Sequence, residues 1–142
     1  MTIASILASK SKSTISVQAG TTISEVTQIL YKNNIGAVLV MRGKELIGFL
    51  SDRGITRAMA QNPGGVRAMP AEAAMRPRQF ETTPSASIES AMRLMTDNKV
   101  RYLPVFEDEV LVGIVSVGDV VKALLDRQTA AVEHMTAYIG QS

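Results

Sequence analysis

A shift of 65 residues lays Thr22–Ala58 over Ser87–Ala123 without a gap. Seven of those 37 positions are identical: Ile23 with Ile88, Asn33 with Asn98, Val40 with Val105, Leu46 with Leu111, Gly48 with Gly113, Ser51 with Ser116 and Ala58 with Ala123. The apolar pattern agrees over almost the whole stretch. The chain therefore holds two copies of one small fold, and whatever one copy builds the other must build too.

Each copy reads as the same series of elements. Ile23, Val26, Ile29 and Leu30 recur at helical spacing, as do Ile88, Ala91, Leu94 and Met95. Thr22 and Ser87 stand where they can cap these helices. Two short apolar runs follow in each copy, Ala37–Met41 with Leu46–Leu50, and Tyr102–Phe106 with Val110–Val115. Arg42-Gly43-Lys44 and Glu107-Asp108-Glu109 separate the runs, which predicts two β-hairpins. Near-continuous rather than alternating apolar residues predict strands covered on both faces. A further helix is expected from near Asp52 and from near Gly118, and short strands at Ile15–Val17 and Phe80–Thr82. Ala68–Met75 is predicted as a short helix stopped by Pro77, after the loop signal Gln61-Asn62-Pro63-Gly64-Gly65.

The expected division is residues 1–61 as repeat 1, 62–67 as linker, 68–127 as repeat 2 and 128–142 as a C-terminal helical tail. A unit of about 60 residues buries too little surface to be comfortably stable alone. The expected fold is therefore α+β: two tandem β-α-β-β-α repeats packed sheet to sheet with pseudo-twofold symmetry, plus a long C-terminal helix. Such packing implies two related clefts.

Composition removes several classes of function. A net charge of +2 leaves too weak a basic footprint for nucleic acid. The absence of cysteine excludes disulfides, thiol catalysis and cysteine-ligated metals. With His134 the only histidine, neither a serine triad nor a multi-histidine metal site can be assembled in one chain. No apolar run reaches the roughly 18 residues of a membrane span. From Met1 to Ser24 there is no acid, faintly like an organellar transit peptide, but no Arg precedes Arg42 and the repeat already begins near Ile15. The expectation is a cytoplasmic, non-catalytic protein with no metal, no nucleic acid and no membrane.

The runs Val100-Arg101-Tyr102-Leu103-Pro104-Val105 and Gly113-Ile114-Val115-Ser116-Val117-Gly118-Asp119-Val120-Val121 resemble the second repeat of CBS-domain pairs. Gly48-Phe49-Leu50-Ser51-Asp52-Arg53 resembles the matching part of the first repeat, and the likeness spans about Ile3 to Arg127. The tail Glu133–Ile139 resembles the C-terminal helix of small bacterial and plant organellar proteins made of one CBS pair. The resemblance implies a module that binds AMP, ATP, NADH or S-adenosylmethionine, with ADP also in view, and that often dimerises.

Ser116 and Asp119 admit two readings. As a capping box, Ser116 is the N-cap and Asp119 returns a bond to its amide. As a nucleotide site, the helix mouth and the Ser116 hydroxyl receive a phosphate while Asp119 takes both ribose hydroxyls. Within the repeat the ribose role is the working expectation. The matching residue in the first copy is Gly54, so the two sites are expected to be unequal, with the Asp119 site dominant. Arg53, a cation in a first helical turn, opposes the dipole and suggests a phosphate partner, or is a solvated surface residue. Arg101 matches a position that contacts phosphate in the family, or is an edge charge. Pro104 belongs at a sheet edge or bulge and is a candidate wall for adenine. Tyr102 stacks on a base or simply packs. Thr82 and Thr83 offer backbone to the adenine edge or form a turn before Pro84.

Val121, Leu125, Gln128, Val132, Met135 and Ile139 follow the 4-3-4-3-4 spacing of a heptad seam, widened by Leu124, Ala131 and Tyr138. The seam is expected to pack against a second chain, giving a homodimer, with folding back on its own domain as the alternative. The expected function is a regulatory module that senses an adenosyl ligand and modulates an unknown partner. The alternative is a dimerising assembly protein with a vestigial cleft.

Overall fold

The computed structural model describes residues 1–9 and 15–140. The elements, in order, are α1 (Ile3–Ser9), β1 (Ser16–Gln18), α2 (Ile23–Asn33), β2 (Ala37–Arg42), β3 (Glu45–Ser51), α3 (Asp52–Gln61), α4 (Ala71–Ala74), β4 (Arg76–Pro77), α5 (Ile88–Asn98), β5 (Tyr102–Glu107), β6 (Val110–Ser116) and α6 (Val117–Gly140), with one 3₁₀ turn at Val66–Ala68.

The helical spacing read from the sequence buries the faces it marks. Ile23, Val26 and Leu30 of α2 are buried, as are Ile88, Ala91 and Met95 of α5. The Thr22 and Ser87 hydroxyls accept from the amides of Glu25 (3.2 Å) and Ser90 (3.0 Å), so both helices start where the sequence places a cap. Each ends on a left-handed residue, Asn34 (φ 50°) after α2 and Lys99 (φ 54°) after α5. Asn tolerates that backbone; Lys pays a steric penalty for it. Lys99→Gly is therefore expected to stabilise the chain by about 0.5–1 kcal/mol, visible as a rise of a few degrees in melting temperature.

The chain forms two units, and each assembles its own core. The first runs from β1 to Gln79, and the second combines α1 with everything from Phe80 onward. The first is built on a mixed sheet in the order β1-β2-β3-β4, with β1 parallel to β2 and the rest antiparallel. Its core includes Val17, Val26, Val38, Val40, Leu50 and Ala71. Val66, inside the stretch expected to link the repeats, is also buried there. The second holds the β5-β6 hairpin over Ile3, Ile88, Leu103, Val105, Val115 and Val120.

The units and the sequence repeats are offset because the leading segments are exchanged. Ile3 N donates to Ala86 O and Ala4 N to Pro84 O in the second unit. Ala71 N donates to Thr21 O and Glu72 N to Ala19 O in the first. Residues 86 and 84 are 21 and 19 advanced by 65, so α1 and α4 do the same job in opposite units, offset by 68 (71 less 3). Where α1 continues for seven residues, α4 stops after four and passes into β4. Pro77 cannot continue a helix and holds Arg76 extended.

Phe80–Thr82, expected as a strand, is reduced to a single parallel bridge between Thr82 and Val105. In the first unit Leu39 N donates to Ile15 O and Ala19 N to Met41 O, extending β1 in both directions. The residues 65 further on are Pro104 and Pro84, and neither has an amide hydrogen. The bonds from Thr82 N to Pro104 O and from Phe106 N to Thr82 O, each 3.0 Å, hold the bridge. Pro104 thus borders a minimal ladder and lies beside the register shift between Val105 and Phe106, at an edge and bulge as its chemistry requires.

Helix α6 does not turn back on its unit. It runs unbroken for 24 residues, and every residue from Leu125 to Gly140 is exposed. Arg127 pairs with Glu89 of α5 near the point where α6 leaves the core. No helix among the described residues is long and apolar enough to cross a membrane.

Candidate functional site

Two helix mouths are equivalent by repeat, and they differ in chemistry. Strand β6 ends at Ser116, where α6 begins. The Asp119 amide donates to the Ser116 hydroxyl (3.1 Å), and the Ser116 amide donates to Asp119 Oδ2 (2.8 Å). The capping box is therefore formed with Asp in place of the longer Glu or Gln. Val117 N is met by Arg101 O at 2.9 Å, so β5 and the mouth of α6 are joined through the backbone.

An ionised Asp has about four acceptor sites, and the capping bond from the Ser116 amide uses one on Oδ2. The same bond fixes the carboxylate at the positive end of a long helix, where an anion is favoured. Ser116 and Asp119 are both half-buried, within reach of solvent yet held in place.

Seven of the eight candidate residues belong to this unit. Tyr102 pairs with Ser116 across the hairpin and Pro104 with Ile114, so Arg101, Tyr102 and Pro104 lead away from the mouth along β5. Arg101 is exposed, Tyr102 half-buried and Pro104 buried. Thr82 is bonded to the other side of β5, half-buried. Thr83 sits in a turn: its carbonyl accepts from Ala86 N at 3.1 Å and its hydroxyl meets that of Ser85 at 3.3 Å. Arg53 belongs to the first unit, exposed in the first turn of α3, its amide donating to Asp52 Oδ1 at 2.7 Å.

The first copy's mouth is built the same way up to one residue. Ser51 caps α3 by accepting from Gly54 N at 3.1 Å, and Asp52 N donates to Gly36 O as Val117 N does to Arg101 O. Gly54 is buried, and a Cβ there would lie 3.2 Å from Ala74 O and 3.2 Å from Leu50 Cδ1. Both contacts are tighter than ordinary packing, so a side chain at position 54 requires the end of α4 or Leu50 to give by a few tenths of an ångström. This is the feature sequence reasoning missed: the loss of the acid at position 54 goes with a carbonyl delivered from another element.

No cluster of three or more His, Cys, Asp or Glu among the described residues could hold a metal ion.

Fold and site together define a class: a duplicated α+β module with two equivalent helix mouths, each fed by a hairpin, of which one holds a fixed acid. The CBS domain model matches residues 6–61 and 71–126, and the chain belongs to the CBS-domain family. It is 32% identical over 125 residues to the CBS domain-containing protein YhcV of Bacillus subtilis, covering 84% of this chain and 88% of that protein. A solved CBS-domain protein from Agrobacterium tumefaciens superposes with a TM-score of 0.83 at 27% identity, over 87% of this chain and 98% of that one. A CBS domain protein from Pyrobaculum aerophilum, solved in complex with AMP, has a TM-score of 0.73 at 23% identity, covering 84% and 89%.

Proposed function

We propose that this chain is a regulatory module that binds one adenine nucleotide at the mouth of α6 and passes the binding event to a partner. The carrying observation is the contrast between the two mouths. One presents Asp119, held at 2.8 Å by the Ser116 amide; the other has Gly54 pressed against Ala74 O. An acceptor-only group at a helix mouth suits a ribose diol, and the neighbouring amides and Ser116 hydroxyl suit a phosphate. Arg101 serves as the phosphate partner in this reading. Tyr102, Pro104 and the Thr82–Thr83 backbone serve the base. The AMP complex of the Pyrobaculum aerophilum relative supports the choice of ligand class. Repeats 1–61 and 68–127 are the proposed functional division, with the ligand belonging chiefly to the second. No reaction is assigned.

Calorimetric titration with AMP, ADP, ATP, NADH and S-adenosylmethionine tests this. At least one is expected to bind at one equivalent per chain, because the first mouth lacks the acid. Silence across the panel overturns the proposal and leaves an assembly role. Two equal sites per chain would overturn the account of Gly54.

A further inference from the structure

We propose that the turn end of the β5–β6 hairpin is a docking surface for a segment of another protein that carries lysine or arginine around apolar side chains. The surface is made of Val110 and Val112 on β6 with Glu107, Asp108 and Glu109 beside them. All five are exposed, Val110 by 62% and Val112 by 44%. The two valines flank half-buried Leu111, so the exposed apolar surface runs on from the turn into the strand.

The repeat supplies a control. In the first copy the same end of the hairpin is held by the chain itself. Arg42 pairs with Glu72 at 2.6 Å. The Gln18 side chain accepts from Gly43 N at 3.0 Å and donates to Gly43 O at 3.3 Å. Ile47 packs against the core, and its carbonyl accepts from Arg78 N at 3.1 Å. In the second copy Arg42 is replaced by Glu107, Gln18 by Thr83 and, at the offset of 68, Glu72 by Ala4. The Thr83 hydroxyl meets that of Ser85 instead, and an alanine cannot pair with anything. Among the described residues none of the three acids has an ion pair.

The turn carries a second mark. Glu107 pairs with Val110, leaving Asp108 (φ 50°) and Glu109 (φ 65°) as a two-residue loop with both residues left-handed. Such a loop ordinarily uses Asn-Gly, and the first hairpin places Gly43 (φ 62°) there. Folding alone favours glycine, so the acids are kept against a steric penalty, and charge is what they add.

The occupant follows by complementarity. Three adjacent carboxylates favour cations, and the valines favour apolar cover, so a bare ion answers only half of the surface. Strand β6 has this surface at one end and the Ser116 mouth at the other. The proposal gives the partner of the nucleotide reading a place and a chemistry. It is tested without nucleotide, so either can fail alone.

Fluorescence anisotropy of the full chain with three labelled peptides makes the test. In Gly-Lys-Leu-Lys-Leu-Lys-Gly three cations answer the acids and two leucines the valines. Serine for leucine removes the apolar half, and glutamate for lysine reverses the charge. The first peptide should bind with a dissociation constant below about 100 µM at low salt and weaken as salt rises. The other two should bind at least tenfold more weakly. Glu107→Gln, Asp108→Asn and Glu109→Gln together, or Val110→Thr with Val112→Thr, should each lower affinity at least tenfold with little change in melting temperature. Asp108→Asn with Glu109→Gly should weaken binding while raising the melting temperature, a pair of shifts that loss of structure cannot give. Glu133→Gln, an exposed acid on α6, should leave affinity unchanged. A weaker first peptide, equal binding of the lysine and glutamate peptides, or an affinity unmoved by the three neutral substitutions overturns the proposal.

Discussion

Gly48→Ala is expected to destabilise the first unit by about 3 kcal/mol or more, and the repeat-equivalent Gly113→Ala by about 1 kcal/mol or less. The two glycines stand at the same point of the same hairpin, so intrinsic backbone preference cancels between them. What differs is the neighbour. A Cβ at Gly48 would lie 2.2 Å from Arg76 O and 2.8 Å from Met75 Sδ. The methionine can swing away, but Arg76 is backbone, tied to β3 through the Gly48–Pro77 and Phe49–Arg76 pairs. Relief requires parting the two strands. At Gly113 the nearest atom is Leu7 Cδ2 at 2.8 Å, the far end of a side chain that can turn. Urea unfolding of both variants gives the difference in stability. Amide exchange in β2 and β5 assigns it to a unit, since the two units need not unfold together. Equal losses, or a larger loss at Gly113, would show that β4 is not seated on β3 as described.

That asymmetry marks the limit of what the sequence discloses. The elements within each repeat were legible because side chains specify them: Ile23, Val26 and Leu30 bury one face of α2, and the Thr22 hydroxyl accepts from the Glu25 amide as its type promises. The hairpins were legible for the same reason. The exchange of α1 and α4 was not. Its contacts are backbone amides, Ile3 N to Ala86 O and Ala71 N to Thr21 O, which any residue but proline supplies. The two segments also align at a shift of 68 rather than 65, and over 1–9 and 69–77 only Met1 and Met69 match.

The shortened third strand of the second unit shows a subtler failure. Apolar character at Phe80 and β-branching at Thr82 favour a strand, but the ladder is limited by amide hydrogens that Pro104 and Pro84 lack. Pro104 was readable as an edge residue; that its missing donor would be the one facing Phe80 depended on pairing. At the site, the Ser116–Asp119 spacing was legible and forms as bonded. The cause of Gly54 was not, since the carbonyl of Ala74 carries no side-chain signal.

Asp119→Asn is expected to weaken AMP binding by at least tenfold while leaving the fold almost unchanged. The reasoning separates the two jobs assigned to one carboxylate. As a cap, Asp119 needs an oxygen that accepts from Ser116 N, and an Asn carbonyl oxygen can supply it. As a ribose ligand it needs negative charge and two acceptor oxygens, and Asn loses the charge and one of them. A hydrogen bond to a charged group contributes about 1.5–3 kcal/mol, so one such loss is roughly a ten- to hundredfold change in affinity. Asp119→Ala removes both functions and should cost about 1 kcal/mol of stability in addition. The decisive comparison uses 2′-deoxy-AMP. Deleting the hydroxyl should weaken binding to the unmodified chain but have little further effect on Asp119→Asn, because the partner is already gone. If the deoxy penalty is the same in both proteins, Asp119 does not touch the ribose. It would then be a helix cap alone, and a nucleotide, if one binds, is held by other groups.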